Sequence, residues 1–446
     1  MINRLAALMK THAARDGVLV IGAQGVAALL AILVDSFLFR HLPKSEQGAL
    51  SSGLALSAAL LQASDFGLAL TTIRVGAKYI AEGRHEKAAR LFKSTLIARV
   101  GLAALIVGAT LLFMGPIARD ILSLPHGWNL VILAALGVIG SAIVWWGVDV
   151  AQARRAFDSY AIQQIFSAAA KAGAIIFVAL FFLRIFPERA AEKILLAIAV
   201  GNLGAGFFSL MASRGALRVP EITSSSATDA ASGQPIHLFE FGAYACAVSM
   251  LTALSANADV LLVQHYLGVE DTAVFACARR LAMALNLVAT ASITVLLPRA
   301  AALETREACM AYVRKALKAG LAMALVGAGG LALAASLFVP LFAGATYTAS
   351  VPILQWLCVA HGIGMVLTPL TLVFYPLRRE GFLVLLNALQ LGAHLFLGIV
   401  LTPTFKLQGA AWAIIGSKAV VALAAIFFLA WAFRRVDSVS KSTAIR

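Results

Sequence analysis

The stretch NADVLLVQHYLGVEDTAVFACARRL, residues 257–281, decides the architecture. Two long apolar runs meet at a turn around Gly268, and Asp259, Arg279 and Arg280 are set inside them. The same turn recurs 225 residues earlier, where Leu42 corresponds to Leu267 and Glu46 to Asp271. The same shift lays Arg74 on Arg299, Arg90 and Lys93 on Lys315 and Lys318, and Arg154 and Phe157 on Arg379 and Phe382. Identity between the halves is sparse, since Arg155 meets Glu380 and Arg280 meets Ala55. What repeats is a set of apolar spans with their loops. Two halves of like orientation imply a transporter with a central site between pseudo-symmetric bundles, open to one side at a time.

Composition points the same way. Apolar residues make up 61% of the chain and charged residues 13%, against about 45–50% and about 25% in soluble domains. Stretches long enough to cross about 30 Å of hydrocarbon are read at 17–39, 47–70, 93–115, 129–150, 160–183, 192–212, 238–264, 272–297, 316–338, 351–375, 381–402 and 408–432. The second is expected to continue as an interfacial helix through Ile80. The runs lack the alternation of a transmembrane barrel. The expected fold is therefore all-α and polytopic: twelve transmembrane helices as two pseudo-symmetric six-helix bundles around a central cavity. Residues 1–213 form the first bundle, 214–236 a cytoplasmic linker rich in Ser, Thr and Ala, and 237–446 the second bundle.

Basic residues set the orientation. Arg74, Lys78, Arg84, Lys87, Arg90 and Lys93 crowd one loop, and Arg299, Arg306, Arg314, Lys315 and Lys318 crowd its counterpart. The opposite side holds only Arg40, Lys44, Arg119, Arg184, Arg189, Lys193 and Lys406. This bias places both termini in the cytoplasm. The net charge of +15 thus reflects topology. No soluble basic domain, aromatic–basic patch or zinc spacing accompanies it, so a nucleic-acid partner is excluded. Met1–Asp16 reads as an interfacial helix, and the first apolar run as an uncleaved anchor. Cys246, Cys277, Cys309 and Cys358 are scattered and read as packing residues. Gly137, Gly140, Gly327, Gly329 and Gly330 suit close helix packing.

No phosphate loop, dinucleotide turn or His-Glu-x-x-His is present, and no cofactor or metal is expected. The chemistry lies in charges within the apolar runs, where an ionised group faces a partner or a wet cavity. Lys171 lies in the fifth span, Lys418 in the twelfth, Arg279 and Arg280 in the eighth, Asp259 in the seventh and Asp35 near the outer end of the first. Asp65 is the remaining acidic candidate, for an ion pair or for ion coupling. Asp259 precedes Gly268 by nine residues and Arg280 follows it by twelve, so at 1.5 Å per residue they reach similar depth. An Asp259–Arg280 ion pair and a cargo-binding role for Arg280 both stay open, with Arg279, about 100° further round the helix, left with Lys418 and Lys171 as cavity cations. His361 and His394 read as packing or hydrogen-bonded residues.

Several of these segments resemble the O-antigen-type polysaccharide flippases of the multidrug/oligosaccharidyl-lipid/polysaccharide (MOP) exporter superfamily. The resemblance rests on Asn257-Ala-Asp259-Val-Leu-Leu-Val, Tyr266-Leu-Gly268, Phe275-Ala-Cys-Ala-Arg-Arg280-Leu281 and Leu297-Pro298. Glu46-Gln-Gly48-Ala-Leu, Asp65-Phe66-Gly67-Leu68 through Arg74, and Arg154-Arg155-Ala-Phe157-Asp-Ser-Tyr160 extend it over the first half. It implies alternating-access transfer of undecaprenyl-pyrophosphate-linked oligosaccharide to the outer leaflet through a cationic lumen. It also implies membrane lipids, a polysaccharide polymerase and glycosyltransferases as partners. Asp259 and Arg280 carry over as matching positions. Three rivals stay open: a cation-coupled multidrug antiporter, which needs a cavity rich in carboxylates; a lipid II flippase, which usually has two further helices; and a polytopic glycosyltransferase or polymerase, which needs a large outer loop.

Overall fold

The computed structural model describes residues 12–124, 127–182, 188–217, 235–301, 306–374 and 381–443. The interfacial stretch expected at Met1–Asp16 lies outside them up to residue 11, as do most of the linker 214–236 and the repeat anchor Arg379. The described chain contains helices and turns and no strand. The first half is built from α1 (His12–His41), α2 (Lys44–Ala63), α3 (Leu68–Ala81), α4 (His85–Leu112), α5 (Trp128–Ala153), α6 (Phe157–Phe181) and α7 (Ala190–Leu217). The second half holds α8 (Pro235–Leu267), α9 (Val269–Ala301), α10 (Arg306–Met323), α11 (Ala335–Ala343), α12 (Ser350–Thr371) and α13 (Gly381–Thr443).

The described parts of the twelve apolar stretches are almost wholly helical, although 47–70 is divided between α2 and α3 and 316–338 runs from α10 through a π-helical turn into α11. Among the described residues, eight helices are long and apolar enough to cross a membrane, or nine when α2 and α3 are taken as one bent span. The segment Gly381–Leu429 counts once there but covers two expected spans. Its arms part at Lys406, whose φ of 52° and ψ of −136° are not helical. The second span continues past its apolar run as expected, but through a bend of 44°. Phe66 and Gly67 both take left-handed angles there, with φ of 46° and 74°. A side chain pays a steric cost in that region and glycine does not, so Gly67 permits the break.

The chain forms two compact units, one of Met1–Leu38 with Gly53–Ala253 and the other of Phe39–Ser52 with Leu254–Arg446. In the first, α5 is the central helix, buried against α4 and α7. Phe92, Trp146, Val150 and Ala216 form one core cluster, and the Trp146 indole donates to the Phe92 carbonyl at 3.0 Å. Gly140 and Gly206 let α5 and α7 cross closely: a Cβ on Gly206 would lie 2.9 Å from the Gly140 carbonyl oxygen. This is the small-residue packing expected in lipid, where apolarity alone gives helices little reason to associate. Gly327 and Gly329 behave otherwise, lying in a π-helical turn, Ala324–Gly329, where an added Cβ would meet nothing closer than 3.7 Å.

In the second unit, Gly320 brings α10 against α12, since its Cβ would lie 2.9 Å from the Met365 carbonyl oxygen. The hairpin Phe39–Ser52 packs within this unit through aromatic and polar contacts. Phe39 sits 5.5 Å from the Phe342 ring and 5.3 Å from the Tyr347 ring. Arg40 donates to the carbonyls of Leu341 and Phe342 at the end of α11, where the negative end of the helix dipole favours a cation.

Candidate functional site

The first unit holds a charged trio that composition gives no hint of. Arg99 on α4 is 1% exposed and stands between Asp65, at the α2–α3 break, and Asp149 on α5, which are 8% and 9% exposed. One guanidinium arm donates to Asp65 and the other to Asp149 at 2.7 Å. Asp65 also accepts from the backbone N–H of Ala69 at 3.2 Å, in the first turn of α3. The planar fork of arginine serves two carboxylates at once, which a lysine ammonium on a flexible stem does less well. The trio thus ties the broken span to α4 and α5. Asp65 was expected in an ion pair, but Arg99 and Asp149 were not singled out. The signal was there: both lie inside apolar runs.

The other expected residues of this unit stand apart from the trio's hydrogen bonds. Lys171 on α6 is partly buried, where Gly201 of α7 allows a close approach: its Cβ would lie 3.3 Å from the Lys171 Cα. Among the described residues no ion pair reaches its ammonium. Asp35 on α1 is half-buried and interacts with its surroundings.

In the second unit the expected ion pair forms with a different partner. Asp259 bonds Arg279, with Nε to Oδ2 at 2.9 Å, and not Arg280. A second guanidinium arm of Arg279 donates to the Ala256 carbonyl. Depth did not separate the two arginines, since one residue changes it by only about 1.5 Å. Azimuth did. The rotation of α9 turns Arg279 towards α8, where it meets Asp259 and the Ala256 carbonyl. Arg279 is therefore a neutralised cation and not the unpaired one expected, while Arg280, half-buried, has interactions of its own. Breaking the Asp259–Arg279 pair from either side should cost about 3–5 kcal/mol. The double variant Asp259→Arg with Arg279→Asp should recover much of that in the thermal stability of the purified protein, whereas exchanging charges between 259 and 280 should recover none.

Lys418 on α13 is partly buried. It lines a cavity of about 210 Å³ together with Gly364, Thr368 and Thr371 of α12 and Asn387 and Gln390 of α13. Gly364 makes room for the ammonium, because a Cβ there would lie 3.0 Å from Nζ. Among the described residues no hydrogen bond or ion pair reaches Nζ, although the Asp259 carboxylate lies near enough for its field to act on Lys418. His361 and His394 lie in the same field of Asp259, Arg279 and Lys418. His361 donates from Nδ1 to the Leu357 carbonyl at 2.8 Å, and His394 Nδ1 lies 3.5 Å from the Ser255 hydroxyl. Both are hydrogen-bonded, as expected. No cluster of His, Cys, Asp and Glu able to hold a metal occurs among the described residues.

Several solved structures share this fold. A lipid II flippase, MurJ, in an inward closed conformation aligns over 92% of this chain and 87% of its own, with a TM-score of 0.72 and 12% identity. An inward-facing multidrug resistance MATE family transporter of the MOP superfamily covers 93% of this chain and 99% of its own, at TM-score 0.62 and 17% identity. A MOP superfamily transporter from Pyrococcus furiosus, described as having a binding pocket of reverse polarity, covers 95% of each chain at TM-score 0.59 and 17% identity. At such identities the likeness speaks for the fold. None of the curated proteins matches in sequence. A family model described as polysaccharide biosynthesis protein matches residues 13–304, well over half of the chain. This multi-pass membrane protein therefore belongs to the polysaccharide biosynthesis protein family and carries the fold of the MOP-superfamily transporters.

Proposed function

We propose that the protein is a flippase that carries undecaprenyl-pyrophosphate-linked oligosaccharide, an O-antigen or exopolysaccharide repeat unit, across the inner membrane by alternating access. The observation that carries this reading is Lys418, an unpaired cation on the wall of a polar cavity that contains no carboxylate. A pyrophosphate cannot cross hydrocarbon alone because its charge is too costly to strip of water. An ammonium with hydroxyl and amide neighbours replaces that water, while the polyprenyl tail stays in lipid. Lys171 is the second cation that would meet the cargo; Arg280 keeps interactions of its own. The bundles 1–213 and 237–446, joined by 214–236, are the bodies that rock, with the hairpin Phe39–Ser52 moving with the second, in whose unit it packs. No bond is made or broken, so the protein is not an enzyme. The basic bias of the loops supports cytoplasmic termini. The glycosyltransferases that build such a cargo and a polymerase that consumes it are the partners the reading implies.

One observation favours a second reading, a cation-coupled antiporter. Two buried carboxylates, Asp65 and Asp149, share the single guanidinium of Arg99, and buried carboxylates are what ion coupling needs. The two readings separate in proteoliposomes. Wild-type protein should expose a labelled lipid-linked oligosaccharide to an external reagent. Lys418→Met should slow this roughly tenfold or more, the loss of one charge-assisted contact of about 1.5–3 kcal/mol. Full transport by Lys418→Met and Lys171→Met alike would remove the basis for an anionic cargo.

A further inference from the structure

The basic pairs that the two halves share have a use beyond topology. Lys315 and Lys318 on α10 occupy the places of Arg90 and Lys93 on α4, although the halves are otherwise sparse in identity. On α4 the Arg90 guanidinium is held by Glu86, one turn away. On α10 the pair is joined by Arg314, and all three side chains are exposed. Among the described residues no ion pair reaches any of them. Like charges three and four residues apart on a helix repel one another, so the patch favours an anion beside it. One turn further along the chain becomes apolar and stays exposed, at Leu321 and Leu325. Basic side chains bordering exposed apolar surface mark the level at which lipid headgroups meet hydrocarbon.

Beside this patch runs an apolar groove of about 350 Å³, walled by Leu317 and Leu321 of α10, Ala324 in the π-helical turn, Ile363 and Val366 of α12 and Ile426 of α13. Every residue lining it is aliphatic or glycine. It is distinct from the Lys418 cavity, with which it shares only the wall at Leu367. Leu321 and Ile426, 53% and 56% exposed, form its open edge. Lys318 stands one turn before Leu321, at the end of the groove. From Leu317 to Ala324 the groove follows α10 for about 10 Å at 1.5 Å per residue. That length lies within one leaflet, about 15 Å of the 30 Å of hydrocarbon. We propose that α10 and its groove bind an anionic glycerophospholipid of the phosphatidylglycerol type, with Arg314, Lys315 and Lys318 on its phosphate and one acyl chain in the groove. A polyprenyl tail, far longer than a leaflet is thick, matches it poorly. The bound chain fills the space between α10 and the α12–α13 pair, and so steadies the second unit whatever cargo the protein carries.

The test follows lipid retention by native mass spectrometry, and melting, of the purified full chain. The probes are dioleoyl phosphatidylglycerol, dioleoyl phosphatidylcholine and undecaprenyl phosphate. Wild-type protein should retain phosphatidylglycerol over phosphatidylcholine by roughly tenfold or more, since each basic residue near an anionic headgroup adds up to about fivefold. It should also melt at a higher temperature with phosphatidylglycerol. Arg314→Gln with Lys315→Gln and Lys318→Gln should bring that preference to within about twofold and leave melting in phosphatidylcholine unchanged. Ala422→Phe, which fills the groove from α13, should lower retention of both phospholipids alike. Arg90→Gln with Lys93→Gln, on α4, should leave the preference intact. An unchanged preference in the α10 variant, or an equal loss in the α4 variant, overturns the proposal. Undecaprenyl phosphate that displaces phosphatidylglycerol from the wild-type protein at equal concentration would assign the groove to a polyprenyl tail and overturn it as well. Retention is read without transport, so the flippase reading stands or falls separately.

Discussion

Replacing Arg99 by leucine should destabilise the protein by about 3–5 kcal/mol, the cost of leaving buried carboxylates without their counter-charge. Asp65 and Asp149 keep little access to water while α4 and α5 stay packed, at 8% and 9% exposed. The variant should therefore unfold at a much lower temperature in detergent and accumulate poorly in cells. The triple variant Asp65→Asn, Arg99→Leu, Asp149→Asn should recover most of the loss, because neutral amides are far cheaper to bury than charges. A thermal shift for Arg99→Leu no larger than that of an exposed pair such as Arg119–Asp120, worth about 0–1 kcal/mol, would show that the trio is not a structural tie. Restored stability with altered transport in the triple variant would favour the ion-coupled reading.

The second large effect is steric. A Cβ at position 48 would overlap the Val269 carbonyl, lying 2.6 Å from its carbon and 3.0 Å from the Val269 Cα. These are backbone atoms at the start of α9, so no side-chain rotation relieves the collision. Gly48→Val should cost at least the 1–3 kcal/mol typical of overpacking and should push the Phe39–Ser52 hairpin off α9. Gly101→Ala provides the opposite sign. Gly101 lies inside α4 with nothing within 4 Å of an added Cβ, so alanine there should raise stability by up to about 1 kcal/mol. Equal melting temperatures for the two variants would contradict the close approach at Gly48.

Much of the site was legible in part. Charges inside apolar runs marked Lys418, Lys171, Asp259 and the two arginines of α9, and the turn near Gly268 set their depth. The partner of Asp259 was misassigned by one residue because depth varies slowly along a helix whereas direction turns by about 100° per residue. The trio was missed for a related reason. Arg99 and Asp149 are separated by 50 residues, and nothing local says that α4 and α5 place them face to face. The bend at Asp65, within a span expected to continue as an interfacial helix, rests on the left-handed angles of Phe66 and Gly67, which show only in the backbone.

Sequence by itself determined which segments are helical and apolar enough to lie in a membrane, where they turn, and which loops carry the basic residues. These are local properties, set by a rise of 1.5 Å per residue against a fixed hydrocarbon thickness and by the cost of bare charge in it. Only the tertiary structure decided that Arg279 is neutralised, that Arg99 joins two carboxylates, and that Lys418 faces a small polar cavity. Each depends on the rotation of one helix against another. That rotation is settled by packing contacts such as Gly140 on Gly206 and Gly320 on Met365, between residues far apart in the chain.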